Sequence, residues 1–217
     1  GRHLSASPLQ SAVLVAASLV LELGNQAQKE QLLPAIAAGE KLVTLALQEG
    51  RHHAPEQVAA TAEEEGDAWV ISGCKVLVLD AHVADTFIVI ARNAGAAGDT
   101  DGLCAFLVDA GAEGLSMERR AMVDSRNAGV LSLEQVRVPA ANLLGEAGGA
   151  WPGLSRALDI ATIGLASELL GLSTEAFERT VAYLQERKQF GRGIGSFQGR
   201  QHRAAELVAE IELSRSI

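Results

Sequence analysis

About a hundred residues in the middle of the chain have the pattern of short β-strands and little else. Residues 42–47, 57–62, 68–72, 76–79, 86–91, 103–109 and 130–138 are short runs rich in Val, Ile and Leu, parted by Gly, Asp and Asn. Several alternate apolar with polar, as in Val130-Leu131-Ser132-Leu133-Glu134-Gln135-Val136-Arg137-Val138. That alternation turns one face of a strand inward and the other outward. Glu65-Gly66-Asp67 and residues 93–101 carry the residues of hairpin loops. Many short strands without intervening helices predict an antiparallel β-barrel or sandwich over residues 42–145.

Helical patterns flank it, so the fold class expected is α+β and multidomain. Residues 1–41 read as a helical part. Ser7-Pro8-Leu9-Gln10 offers an N-cap serine, a proline at the first helical position and a capping-box glutamine. That helix runs to Gly24 as C-cap, and apolar residues on most of its sides place it in a helical cluster. Asn25-Gln26-Ala27-Gln28 repeats the capping logic for a short second helix ending near Pro34. Residues 146–217 form a second helical part. From Pro152 to Gln189 there is no further proline, and apolar residues recur through Leu154, Leu158, Leu165, Leu169, Leu172, Ala176 and Leu184. Some 38 residues make a helix of roughly 57 Å. A glycine-marked link, Gly191 to Gly195, leads into another helix from Phe197. Such a hairpin cannot bury all its apolar faces alone and calls for more helices or another subunit.

The 217 residues carry a net charge of −9 without a Lys/Arg-rich block, which argues against a nucleic-acid partner. The most apolar run, residues 12–21, is half the roughly 20 residues a bilayer requires. It reads as a buried helix, and no membrane insertion is expected. Cys74 and Cys104 stand far apart in apolar surroundings, and His52-His53 is the one histidine pair. Neither makes a metal-ligand spacing. The histidines read as loop residues and the cysteines as reduced thiols of a cytoplasmic protein. The chain begins at Gly1 without a methionine and stops at Ile217 in mid-pattern, so a longer polypeptide is expected.

One stretch is specific. Glu186-Arg187-Lys188-Gln189-Phe190-Gly191-Arg192-Gly193-Ile194-Gly195-Ser196-Phe197-Gln198 resembles the ERKxFGxxIxxFQ motif of the acyl-CoA dehydrogenases. Val136-Arg137-Val138-Pro139 with Asn142-Leu143-Leu144-Gly145 resembles that family's VRVPxxNLLG turn. Gly66-Asp67-Ala68-Trp69-Val70-Ile71-Ser72-Gly73-Cys74-Lys75 resembles its GDxWxIxGxK strand pair, and Phe106-Leu107-Val108 a later strand. The motifs fall in family order over nearly the whole chain.

The resemblance implies an N-terminal helical domain, a middle β-domain and a C-terminal helical bundle, assembled as dimers or tetramers with FAD between subunits. The implied reaction is α,β-dehydrogenation of an acyl-CoA. A carboxylate takes the α-proton, the flavin takes the hydride, and an electron-transfer flavoprotein or similar acceptor reoxidises it. By the same resemblance Arg187 reaches the FAD pyrophosphate of a neighbouring subunit, Phe190 packs on that cofactor and Gln198 gives it a polar contact. Bidentate guanidinium–phosphate pairing suits an arginine to this role. Read without the resemblance, Arg187 is an exposed cation at a helix C-terminus, where the dipole favours one.

Two family motifs that hold the flavin ring are damaged. Where T-E-P-x-x-G-S-D is expected, residues 48–55 read Gln-Glu-Gly-Arg-His-His-Ala-Pro and keep little beyond Glu49. Where an aromatic and a hydroxyl follow GxK, Leu77-Val78-Leu79 stands instead. One group of the family carries its catalytic glutamate 26 residues before the pyrophosphate arginine, often followed by an active-site arginine. Those positions are Ala161 and Thr162. Glu168, two turns on, is the nearest carboxylate, and no residue is assigned as the catalytic base. What this chain would give a neighbour's flavin survives, while what would hold its own does not. That asymmetry predicts a non-catalytic subunit of a heteromeric acyl-CoA dehydrogenase, of the kind found among actinobacterial steroid side-chain enzymes. A self-sufficient but divergent homo-oligomer, a structural pseudoenzyme, and a flavin monooxygenase or oxidase on the same fold are the competing readings.

Overall fold

The computed structural model describes residues 1–5 and 7–216; Ala6 and Ile217, the latter being where the pattern breaks off, lie outside the described residues. The chain divides into two compact units, one spanning Ser7–Ala161 and the other Gly1–Ala6 with Thr162–Ile217.

In the first unit, helix α1 covers Leu9–Leu23, with Leu9–Ala17 wound as π-helix. Its start differs from the sequence expectation. Pro8 takes the cap position and no side chain caps the helix. Ser11, one turn in, instead bonds the Pro8 carbonyl and the Asp80 carboxylate, and Gln10 donates to the Ala161 carbonyl at 2.9 Å. Nor is α1 surrounded by helices. It packs on strand β1 (Val43–Ala46) and on helix α2 (Gln26–Ala38), and leaves Leu9, Val13 and Leu21 exposed.

The Asn25–Gln28 capping box forms in both directions, and α2 runs past Pro34 to a left-handed Gly39. Pro34 faces solvent, so the amide hydrogen it lacks is lost where water replaces it.

The sheet has eight strands. After β1 come β2 (Thr61–Glu65), β3 (Ala68–Leu79), β4 (Thr86–Arg92), β5 (Leu103–Asp109), β6 (Leu115–Ala121), β7 (Asn127–Pro139) and the short β8 (Leu143–Leu144). Their order is β6-β7-β3-β2-β4-β5-β8, antiparallel apart from a single β2–β4 bridge and β1, which pairs with β4 in parallel, Val43 to Ala46 against Thr86 to Val89. Residues 68–72 and 76–79 belong to one strand, broken by register shifts between Ile71 and Gly73 and between Lys75 and Val78. The core is mostly apolar, with Leu19, Ile71, Phe87, Ile88, Ile90, Leu103, Phe106 and Leu131 fully buried, and Trp69 meets Phe106 at 5.3 Å between ring centroids; Lys75 and Arg92 are charged residues buried beside them. Cys104 is buried and Cys74 is exposed rather than set among apolar groups; both are free thiols.

Helix α3 (Trp151–Glu186) starts in this unit, where it buries Leu154, Ala157 and Ala161. In the second unit it continues to a two-stranded hairpin, β9 (Lys188–Gln189) and β10 (Arg192–Gly193), followed by α4 (Gln198–Arg215), which buries nothing. Arg2 pairs there with Glu175 and Glu178 of α3. Between α3 and α4 runs an open groove lined by Ile163, Leu170, Phe177, Val181, Leu207 and Ile211.

Candidate cofactor site

Two places carry the chemistry, one in each unit. In the sheet unit it is the bulge of β3. The Val76 amide leaves the ladder and donates to the Gln48 carbonyl at 2.7 Å, and Leu77 swings into the left-handed region (φ 53°) with its side chain exposed. Aliphatic groups thus stand at 77 and 79, where a flavin ring would need a donor. Thr44 Oγ1 donates to the Leu79 carbonyl at 2.8 Å, so that hydroxyl is committed to the backbone.

Beneath the bulge Lys75 is wholly buried. Its ammonium pairs with the Glu49 carboxylate and donates to the Leu47 carbonyl at 3.2 Å. Burial pulls the Lys75 pKa below its usual range, and the Glu49 charge works against that fall. Glu49 also accepts the amides of Ala59 (2.7 Å) and Ala60 (3.1 Å), so one carboxylate closes the loop that connects β1 to β2. Arg92, also buried, holds the far side through the carbonyls of Val58, Ala94, Asp99 and Asp101. Sequence reading singled out neither cation for a role; the signal was a charge inside an apolar strand, where only a paired one is tolerated. Glu49, the remnant of a damaged motif, and Lys75, the last residue of the matched GDxWxIxGxK stretch, prove to be each other's partners.

On α3, Ala161 is buried and presents only a methyl group, Thr162 is exposed, and Glu168 is half-buried in the second unit. None of these places a carboxylate at position 161.

The second place is the tip joining α3 to α4. Arg187 closes the last turn of α3 through its amide to Tyr183 (2.9 Å), and its carbonyl takes the Ile194 amide at 2.8 Å. Phe190 and Gly191 turn the hairpin with φ of 56° and 75°. Glycine adopts that conformation freely and phenylalanine does so at a cost of about 1–3 kcal/mol. The Phe190 ring is 88% exposed and touches Phe197 edge-on at 6.2 Å. The Arg192 guanidinium lies 4.1 Å over the face of the same Phe197. Gln198 opens α4, whose free amides favour an anion. Arg187, Phe190 and Gln198, expected from the sequence, therefore share one exposed tip.

That tip is basic in an acidic chain. Arg187, Lys188, Arg192, Arg200 and Arg203 fall between Glu186 and Glu206 with no acidic residue among them. The remaining residues hold 13 of the 18 cations and all 27 acids, a balance of −14. Guanidinium groups, helix amides and an unpacked aromatic fit the diphosphate edge of a dinucleotide. The β3 bulge does not fit the ring side, since its side chains offer no donor.

Residues 48–136 match the acyl-CoA dehydrogenase middle domain and residues 150–217 the acyl-CoA dehydrogenase C-terminal domain. The chain belongs to the acyl-CoA dehydrogenase family, whose members are FAD-dependent flavoproteins. It is 35% identical to the short-chain specific acyl-CoA dehydrogenase of Clostridium acetobutylicum over 92% of this chain and 53% of that protein. Among solved structures it resembles butyryl-CoA dehydrogenase from Megasphaera elsdenii, with TM-score 0.89 and 28% identity over 96% of this chain and 55% of that one. It also resembles the Tcur3481-Tcur3483 steroid ACAD, with TM-score 0.82 and 37% identity over 97% and 54%. The chain thus spans about half the length of the relatives it matches.

Proposed function

We propose that this chain is a subunit of an FAD-dependent enzyme that dehydrogenates an acyl-CoA thioester at its α,β bond, at a flavin site shared with a partner subunit. One observation carries the reading: the tip keeps Arg187, Phe190 and Gln198 exposed, while Leu77, Leu79, Ala161 and Thr162 stand where ring contacts and the base are expected. FAD, when bound, supplies the hydride acceptor. Arg187 pairs with its diphosphate, Phe190 covers it from water, and Gln198 with the α4 amides orients it. The α-proton goes to a carboxylate outside these 217 residues. The likeness to a steroid ACAD supports a lipid or steroid substrate in catabolism, with an electron-transfer flavoprotein or similar acceptor. The proposed domains are residues 1–41, 42–145 and 146–217, in line with the two family-domain matches.

The proposed location is the cytoplasm. By length and composition α3 could cross a membrane. Arg156, Asp159, Glu168, Glu175, Glu178 and Arg179 along it favour a helix of a soluble bundle instead.

A second reading has its own support. The Lys75–Glu49 pair keeps the backbone of both ring-side segments in place, so a divergent, self-sufficient homo-oligomer could hold flavin by amides alone. The visible spectrum separates the two. Purified alone, the protein should lack the flavin band near roughly 450 nm, and co-expression with an acyl-CoA dehydrogenase partner should give one flavin per pair of unlike chains. In that assembly Arg187→Ala should weaken FAD binding by about 1.5–3 kcal/mol, roughly 10- to 150-fold. A yellow, active homo-oligomer with one FAD per chain overturns the shared-site reading.

A further inference from the structure

Phe190 pays for a left-handed backbone and gains little from its own chain, since its ring is 88% exposed. Its one ring contact is the edge-on meeting with Phe197, at 6.2 Å and 83°. Phe197 is half-buried, caps α4 and directly precedes Gln198. Three features of the tip therefore converge on this ring: Phe190 at its edge, Gln198 through the backbone, and the Arg192 guanidinium 4.1 Å above its face. Arg192 sits in β10 opposite Gln189, across the hairpin whose turn is Phe190-Gly191. No acid lies between Glu186 and Glu206, and among the described residues Arg192 forms no ion pair, the one at the tip being Arg203 with Glu206.

We propose that Arg192 is a positioning residue of the cofactor edge: stacked on Phe197, it fixes that ring as the backing for Phe190 and as the anchor of the turn on which Gln198 stands. This rests on the reading that the tip is offered to a neighbour's FAD. A guanidinium over an aromatic face is held by charge as well as contact. Side chains frozen before a ligand arrives need not be frozen by it, so the stack raises affinity without touching the ligand.

The test is a double-mutant cycle on the intact purified assembly, stripped of flavin and titrated with FAD by quenching of flavin fluorescence. Arg192→Leu should weaken FAD binding about 2- to 5-fold, the size of an exposed cation–π contact. Phe197→Leu should weaken it at least as much, and the double variant no more than the worse single one. Arg192→Lys should fall between wild type and Arg192→Leu, and the melting temperature of Arg192→Leu should not move. Additive losses would mean that Arg192 meets the phosphate itself, which overturns the positioning role. If Arg187→Ala weakens FAD binding while Arg192→Leu leaves it unchanged, the positioning role is wrong and the shared-site reading stands. If Arg187→Ala also leaves it unchanged, the shared-site reading fails and the inference fails with it.

Discussion

At the scale of single residues, a buried charge is stable only beside its partner, and Lys75 has one carboxylate. Glu49→Gln keeps the shape and the amide acceptor but removes the countercharge. Breaking such a pair costs about 3–5 kcal/mol, and the cost should depend on pH in a definite direction. Burial lowers the Lys75 pKa in the folded chain, and without Glu49 it falls further. Between that lowered value and the unfolded value of about 10.4, the unfolded chain holds a proton that the folded chain has shed, so stability rises with pH. The buried Cys104 thiol acts oppositely: its pKa is raised, so above about pH 8.5 it favours the unfolded chain. Comparing wild type with Glu49→Gln cancels that effect. The urea-midpoint gap between them should narrow from pH 7 to pH 9.5, and a constant gap refutes the pairing. The sequence showed Arg187, Phe190 and Gln198 because their spacing is local. It hid the Lys75–Glu49 partnership because nothing local links positions 26 apart.

At the scale of elements, strands with a buried face were legible and strands defined by their neighbours were not. β4 and β5 read almost to the residue, since each is apolar on both faces. β6 went unseen. Leu-Ser-Met-Glu-Arg-Arg-Ala is exposed from Ser116 onward and is a strand only because β7 pairs with it from Leu115 to Ala121. β3 was read as two pieces because Gly73-Cys74-Lys75 has the look of a turn, and it is in fact a site of close approach. At Gly73, with φ of 152°, an added Cβ would lie 2.5 Å from the Ala60 Cβ. Gly73→Ala must push back the segment whose Ala59 and Ala60 amides bind Glu49. The expected loss is at least about 2 kcal/mol in urea unfolding, from overpacking and backbone strain together. A neutral Gly73→Ala would mean that the loop is not held against β3.

At the scale of the whole molecule, the exposed apolar surface of α3 and α4 is the outstanding fact. Ile163 is 68% exposed, Leu169 53% and Leu213 67%, and α4 buries no residue at all. Contiguous patches of this kind mark surfaces that other protein covers. The 217-residue chain on its own should bind a hydrophobic reporter dye, and the double variant Ile163→Glu, Leu169→Glu should bind much less with its sheet unit intact. Equal dye binding by both would place the exposed apolar surface elsewhere. This incompleteness could be read from the sequence, because a two-helix hairpin has more apolar faces than contacts. The groove between α3 and α4 could not, since it depends on how the hairpin closes.

The exposed tip has one more consequence, for supply rather than structure. If Arg187 and Phe190 grip a molecule seated in another chain, that molecule is a ligand of the assembled state and of neither chain alone. Its concentration then enters the association equilibrium directly, and a hundredfold excess over its dissociation constant favours assembly by about 2.7 kcal/mol. A cell short of riboflavin would therefore weaken the assembly as well as its activity, with more unpaired chains exposing their apolar helices to proteases.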